Sequence, residues 1–189
     1  LGIFGGASAS ARWQTVLEYF NRTAFGTKDP QFHLDVSFYV FDLPLWRGVV
    51  AFASAVIIIA FLAGLATSYL YGAIRLNGRE LRISRTARVQ LATTVGVYIA
   101  VQAVSVWLDQ YATVTSPSAG FLATGAGYTE VNATIPAREI LSVIAALVAI
   151  LFFITAGVGR WRLPLVGTGL LLVSAIIIGG IYPPIEQRF

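Results

Sequence analysis

The 189-residue chain contains no cysteine, no methionine and a single histidine, and only 12% of its residues are charged. Without cysteine, disulfides, thiolate metal sites and cysteine nucleophiles are excluded. A zinc site usually needs several His or Cys ligands, so His33 alone is poor evidence for one. A serine triad would have to use the same histidine, and no GxSxG elbow is present. Absence of methionine and a start at Leu1 point to an excerpt or a processed product. Leu1 to Ala11 has no basic start followed by an apolar core, so no signal peptide is visible.

Charge is the most informative deficit. Soluble domains average about 25% charged residues. Here 57% of residues are hydrophobic and the mean hydropathy is +0.75. So little charge cannot coat a water-facing surface, and lipid must cover part of it. The net charge of +4 and pI near 9.7 raise the question of nucleic acid. The placement of the arginines argues instead for a topology signal.

Crossing about 30 Å of hydrocarbon takes roughly 20 mostly apolar residues. Charges divide the chain into intervals of that size. Gly48–Ile74, Val89–Leu108, Ile140–Gly159 and Leu163–Ile185 each lack Asp, Glu, Lys and Arg. They predict an all-α, polytopic membrane helical bundle of four spans, about 48–74, 89–108, 140–159 and 163–183. A fifth interval, Gln110 to Thr129, is rich in Ser, Thr and Gly and contains Pro117. Its backbone would be costly in lipid, so it reads as an ordered loop. Pro44, Pro136 and Pro164 fall in first turns, where a missing N–H costs nothing.

Cytoplasmic loops are enriched in Lys and Arg. Arg75, Arg79, Arg82, Arg85 and Arg88 sit between the first two spans, and Arg160 and Arg162 between the last two. Together they are 7 of the 13 basic residues. This bias predicts that both ends of the chain are extracytoplasmic, in a multi-pass membrane protein. Trp46, Tyr69, Tyr71, Trp107, Tyr111, Trp161 and Tyr182 lie near span ends, as interfacial aromatics do.

Residues 1–47 are expected outside the membrane. Trp13, Val16, Leu17 and Phe20 follow helical spacing, predicting an amphipathic helix of about three turns on the outer face, with Ser8 or Ser10 as N-cap. Phe25 to Pro44 is dense in aromatics punctuated by Asp29, Asp35 and Asp42. A cation site is the sharper reading of these aspartates, but the spacing does not match a calcium loop. Turn and cap chemistry is favoured. The amphipathic helix, the aromatic segment and the loop Gly125–Glu130 are expected to form one ordered outer layer. Asp29, Asp35, Asp42, Tyr128 and Glu130 are its candidate contacts for a partner or an ion.

WQTVLEYFNRTAFGTKDPQFHLDVSFYVFDLP, GAGYTEVNATIP and GIYPPIEQRF together resemble the bacterial integral membrane family catalogued as uncharacterised protein family zero-one-eight-two. The resemblance covers essentially the whole chain. It implies a seven-helix membrane domain followed by a large extracytoplasmic domain. This chain would supply the last four helices as residues 48–185, with 186–189 starting the link outward. Glu130 stands where the family carries an aspartate, a mild departure. The resemblance implies no catalytic residues and no cofactor.

The four intervals contain no ionisable residue. Intramembrane charges usually mark ion paths, so this lowers the case for an ion-coupled pump. Gln102 and Ser105, with Thr93, Thr94 and Tyr98, form the most polar intramembrane set, read as interhelical hydrogen bonding rather than a pathway. Ala60, Gly64, Ser68 and Gly72 repeat every four positions and predict a packing stripe. The expected partners are the lipid bilayer, the upstream helices, the extracytoplasmic domain, and further copies of the chain or other membrane proteins, with no nucleic acid. The leading reading is a membrane anchor and scaffold. A transporter or lipid-handling channel and a membrane-embedded enzyme are the alternatives.

Overall fold

The computed structural model describes residues 12–77, 80–115 and 130–158, together with Gly6, Ser10, Gly169, 171–174 and Ile176. Among the described residues the architecture is three long helices, one short helix and one small hairpin. The elements are α1 (Trp13–Phe20), α2 (Leu43–Leu70), β1 (Ile74–Asn77), β2 (Glu80–Ile83), α3 (Arg85–Ala112) and α4 (Ile135–Val158). Helices α2 and α3 have 28 residues each and α4 has 24. At 1.5 Å per residue these reach about 36–42 Å, enough to cross the hydrocarbon and enter the headgroup region. Three helices are therefore long and apolar enough to span a membrane. Of the fourth expected span only Gly169, 171–174 and Ile176 are described, and these are helical. The rest of that interval, with Trp161, Pro164 and Tyr182, lies outside the described residues.

Each long helix overruns the charge-free interval that predicted its start. Helix α2 begins at Leu43 rather than Gly48 and α3 at Arg85 rather than Val89, while α4 begins at Ile135 rather than Ile140. Helix α3 also continues to Ala112, so Gln110 and Tyr111 belong to a helix and not to the expected loop. Arg47, Asp109 and Arg138 are thus helical residues near span ends. Charge marks the edge of the hydrocarbon and not the end of the backbone hydrogen bonding.

Local chemistry explains the ends. Ser84 is the N-cap of α3, its hydroxyl accepting from Ala87 N–H. Pro44 lies in the first turn of α2. It follows a π-helical turn at Phe38–Asp42, in which Leu43 N–H donates to the Phe38 carbonyl. Pro136 follows a second π-helical turn, Glu130–Thr134, at the same spacing. Proline supplies no N–H to the carbonyl four residues back and crowds it, so the preceding turn widens.

At its far end α2 stops at Leu70. Gly72 adopts φ 67°, its N–H donates to Tyr69 O, and Ala73 N–H donates to Ser68 O at 2.9 Å. This double closure is a Schellman cap, which requires a left-handed residue at that position. Gly72 is therefore a helix terminator, not the fourth member of the expected stripe. The arginine-rich segment then forms an antiparallel hairpin, pairing Ile74 with Ile83 and Asn77 with Glu80.

Helices α2 and α4 run parallel, with α3 antiparallel between them. The α3–α4 contact is the tighter one, and the two helices bury Ala87, Leu91, Ala92 and Ala103 on α3 and Ala145, Val148, Ala149 and Phe152 on α4. Gly96 sits in it, and a side chain there would come within 3.1 Å of the Phe152 Cβ. The α2 stripe facing α3 buries Val50, Gly64 and Ser68, whereas Ala60 is exposed. Away from these contacts α2 and α4 expose Phe52, Ile59, Leu62, Val143, Leu147 and Ile150. Apolar surface on this scale is stable only against lipid or other protein.

Candidate functional site: a capped, charged end of the bundle

The bundle end formed by the starts of α2 and α4 and the end of α3 carries both described ion pairs and most of the described side-chain hydrogen bonds. Residues 22–42 fold over it. Asp29 Oδ2 accepts from Gln31 N–H at 3.0 Å, Phe32 N–H at 2.7 Å and the Tyr39 hydroxyl at 3.2 Å. Asp35 accepts from Phe25, Gly26 and Ser37 N–H groups at 2.8–3.1 Å. These bonds hold the Asp35 carboxyl down at about 2, with the Ser37 backbone N–H the largest cause. Asp29 N–H donates to Leu34 O, and His33 closes the turn at φ 59°. Asp42 pairs with Arg22 at 2.7 Å. The carboxylates of Asp29 and Asp35 are thus occupied in holding backbone turns, and that of Asp42 in an ion pair. Among the described residues no group of three His, Cys, Asp or Glu side chains is placed to hold a metal.

Aromatic stacking seats the turn on the helices. Tyr111 near the end of α3 contacts Phe32 at 4.7 Å, Phe38 at 5.3 Å and Trp107 at 5.1 Å between ring centroids. Tyr39 and Leu43 pack with Val50 and Leu108 beneath it. Such ring pairs contribute about 0.5–1.5 kcal/mol each beyond area burial.

Helix α1 sits beside this end but buries none of its residues. It spans two turns, and the residue flanking its start is Arg12, which makes no side-chain cap, in place of the expected Ser8 or Ser10. Trp13, Leu17 and Phe20 are exposed. Tyr128 and the loop from Gly125 lie outside the described residues. Glu130 opens the second π-helical turn.

Beside the aromatic cap lies a charged cleft between α2 and α3. Arg47 Nη2 meets Asp109 Oδ1 at 2.9 Å. Arg138, in the first turn of α4, donates to the Asp109 backbone carbonyl. Arg12 lays its guanidinium over Gly48, where a Cβ would sit 3.0 Å from Nη1. Arg12, Arg47 and Asp109 rim a cavity of about 580 Å³ that reaches Ser54, Gln102 and Ser105. An adjoining cavity of about 360 Å³ shares Arg47, Asp109 and Thr115 and adds Arg138. Ser54 and Gln102 each lie seven residues from the ion pair along their helices, so the polar lining descends about 10 Å toward the bilayer interior. Gln102 and Ser105 were legible as the most polar part of a span. Arg12, Arg47 and Arg138 were not, because they come from three separate segments and read singly as boundary markers.

The arrangement defines a class: a helical, membrane-type protein whose polar chemistry is concentrated at one end of its bundle. The comparisons assign the family. The uncharacterised protein family UPF0182 matches residues 1–189, and the chain belongs to it. A UPF0182 protein of Clavibacter sepedonicus is 57% identical over 188 residues. One of Leifsonia xyli is 56% identical over 188 residues, and one of Streptomyces coelicolor is 45% identical over 193. Each match covers 100% of this chain but 19% of the relative, so the chain spans about a fifth of their length. No solved structure matches it.

Proposed function

We propose that this segment is a membrane anchor and scaffold, which holds a large extracytoplasmic domain and docks it on the capped end of the bundle. The observation that carries this reading is the cap itself. Residues 22–42 are not a slack linker but a folded layer, set by the Asp29 and Asp35 turns and stacked on Tyr111. Fixed turns of this kind present a rigid surface at little entropic cost on docking. The arginines of the hairpin end support the orientation, with the hairpin toward the cytoplasm and the cap outside.

The test uses the full-length protein with a protease site placed just beyond Phe189. Scaffolding predicts that the cleaved downstream part stays with the membrane segment in mild detergent. It also predicts that Phe32→Ala with Phe38→Ala releases it. Free separation of the wild-type pieces would end the scaffold reading. The polar cleft between α2 and α3 favours a second reading, lipid handling, which predicts protein-dependent movement of labelled lipid between leaflets of reconstituted vesicles.

A further inference from the structure

We infer that the cleft between α2 and α3 is a binding site for a phosphate ester, specifically the headgroup of an anionic phospholipid in the leaflet at the capped end. The inference is independent of the scaffold reading and assigns a ligand to residues which that reading does not use.

Charge balance comes first. Arg12, Arg47 and Arg138 converge on the two adjoining cavities, and Asp109 is the one carboxylate among their described lining residues. One carboxylate cannot neutralise three guanidinium groups. Guanidinium is the side chain best suited to phosphate, because its fork of donors matches the oxygens of the ester. Its attraction also strengthens at a bilayer surface, where water is partly excluded.

Depth comes second. Helices α2 and α3 are long enough for their ends to stand in the headgroup region. Arg47 lies in the second turn of α2 and Asp109 in the last turn of α3. The arginines therefore sit at the level of lipid phosphates. Gly48 contributes by having no side chain, which lets the Arg12 guanidinium approach α2 closely.

The lining below the rim is mixed. Val50 and Ala51 offer an apolar wall, and Ser54, Gln102 and Ser105 offer hydroxyl and amide groups. A lipid with its phosphate at the arginines would place its glycerol and ester oxygens along that polar strip and its chains beside the wall. A free phosphate would use the rim alone.

Native mass spectrometry of the full-length protein, released from dodecyl maltoside micelles doped with phosphatidylglycerol or with phosphatidylcholine, tests this. Phosphatidylglycerol should be retained preferentially. Arg12→Gln or Arg47→Gln should weaken it by about tenfold, the scale of one lost charge-assisted hydrogen bond. Asp109→Asn should strengthen it severalfold by removing the competing carboxylate, a gain that misfolding cannot produce. Retention that survives millimolar inorganic phosphate identifies the lipid, and displacement by inorganic phosphate identifies a free-phosphate site of the same chemistry. Equal retention of the two lipids, or phosphatidylglycerol retention indifferent to all three substitutions, would overturn the proposal.

Discussion

Arg47 of α2 and Asp109 of α3 meet at 2.9 Å, tying the second turn of one helix to the last turn of its antiparallel neighbour. About half of the Arg47 side chain and a third of Asp109 remain exposed. Exposure of that degree screens the pair, and exposed pairs contribute about 0.2–1 kcal/mol. A double-mutant cycle of Arg47→Gln and Asp109→Asn on thermal unfolding in detergent should return a coupling in that range. A coupling of several kcal/mol would mean that the pair is buried in the assembled protein.

The α3–α4 contact should be the least forgiving part of the bundle. At Gly96 an added side chain meets Phe152 Cβ at 3.1 Å and Phe153 Cε1 at 3.3 Å, both held on a packed helix. Overpacking of this kind costs about 1–3 kcal/mol. At Gly64 the nearest atom is Gln90 Nε2, the free end of a flexible side chain. Gly96→Val should therefore lower the unfolding midpoint clearly, while Gly64→Ala should lower it little. The reverse order would place the critical contact between α2 and α3.

Gly72 gives a third expectation. Its φ of 67° falls in the region that side chains disfavour, at about 1–2 kcal/mol for a residue with a Cβ. Gly72→Ala should destabilise by that amount and Gly72→Asn by less, since asparagine tolerates this conformation. Equal stability of glycine and alanine there, measured by thermal unfolding, would show that the cap opens freely.

These residues show what could be read beforehand. The three helices long and apolar enough to span a membrane were legible because apolar length is a composition signal that survives any packing arrangement. Their ends were not, since Arg47, Asp109 and Arg138 remain helical at the bundle end. Gly72 looked like packing because a stripe of small residues and a terminating glycine share the same four-residue spacing. Turn chemistry at Asp29 was legible from Asp29-Pro30. The hairpin at Ile74–Ile83 was hidden, because its arginines were accounted for by topology. The charged cleft was hidden for a spatial reason: Arg12, Arg47, Asp109 and Arg138 come together only once three helices are packed.

Acid should spare the cap to an unusual degree. Asp35 is held down at about 2 by the Ser37, Phe25 and Gly26 N–H groups, from an ordinary value of 3.8. A depressed carboxyl contributes its stability above the unfolded value and loses it as pH falls through the folded one. The contribution of Asp35 should therefore be complete above about pH 4 and fade between about 4 and 2. A carboxyl-carbon titration by NMR should find Asp35 still ionised at pH 3, and Asp35→Asn should remove that acid-dependent part. Ordinary titration near 3.8 would mean that the three N–H bonds do not form in solution.

Topology is the most direct expectation. The hairpin lies at the end of the bundle opposite the cap, and five arginines cluster between Arg75 and Arg88. Short loops bearing such clusters stay in the cytoplasm. Despite the local arginine excess of the cleft, the cap-end segments 12–47 and 109–139 carry seven Asp and Glu against five Lys and Arg, so that end carries little retention signal. Because these 189 residues contain no cysteine, single cysteines report position cleanly. Thr23 and Thr86 are both exposed and sit at opposite ends. Ser84 is unsuitable, since its hydroxyl caps α3. An impermeant maleimide applied to intact cells should label Thr23→Cys and leave Thr86→Cys unmodified until the cells are permeabilised. The inverse pattern would invert the bundle, placing the aromatic cap and the charged cleft on the cytoplasmic side and removing the basis for an extracytoplasmic docking surface.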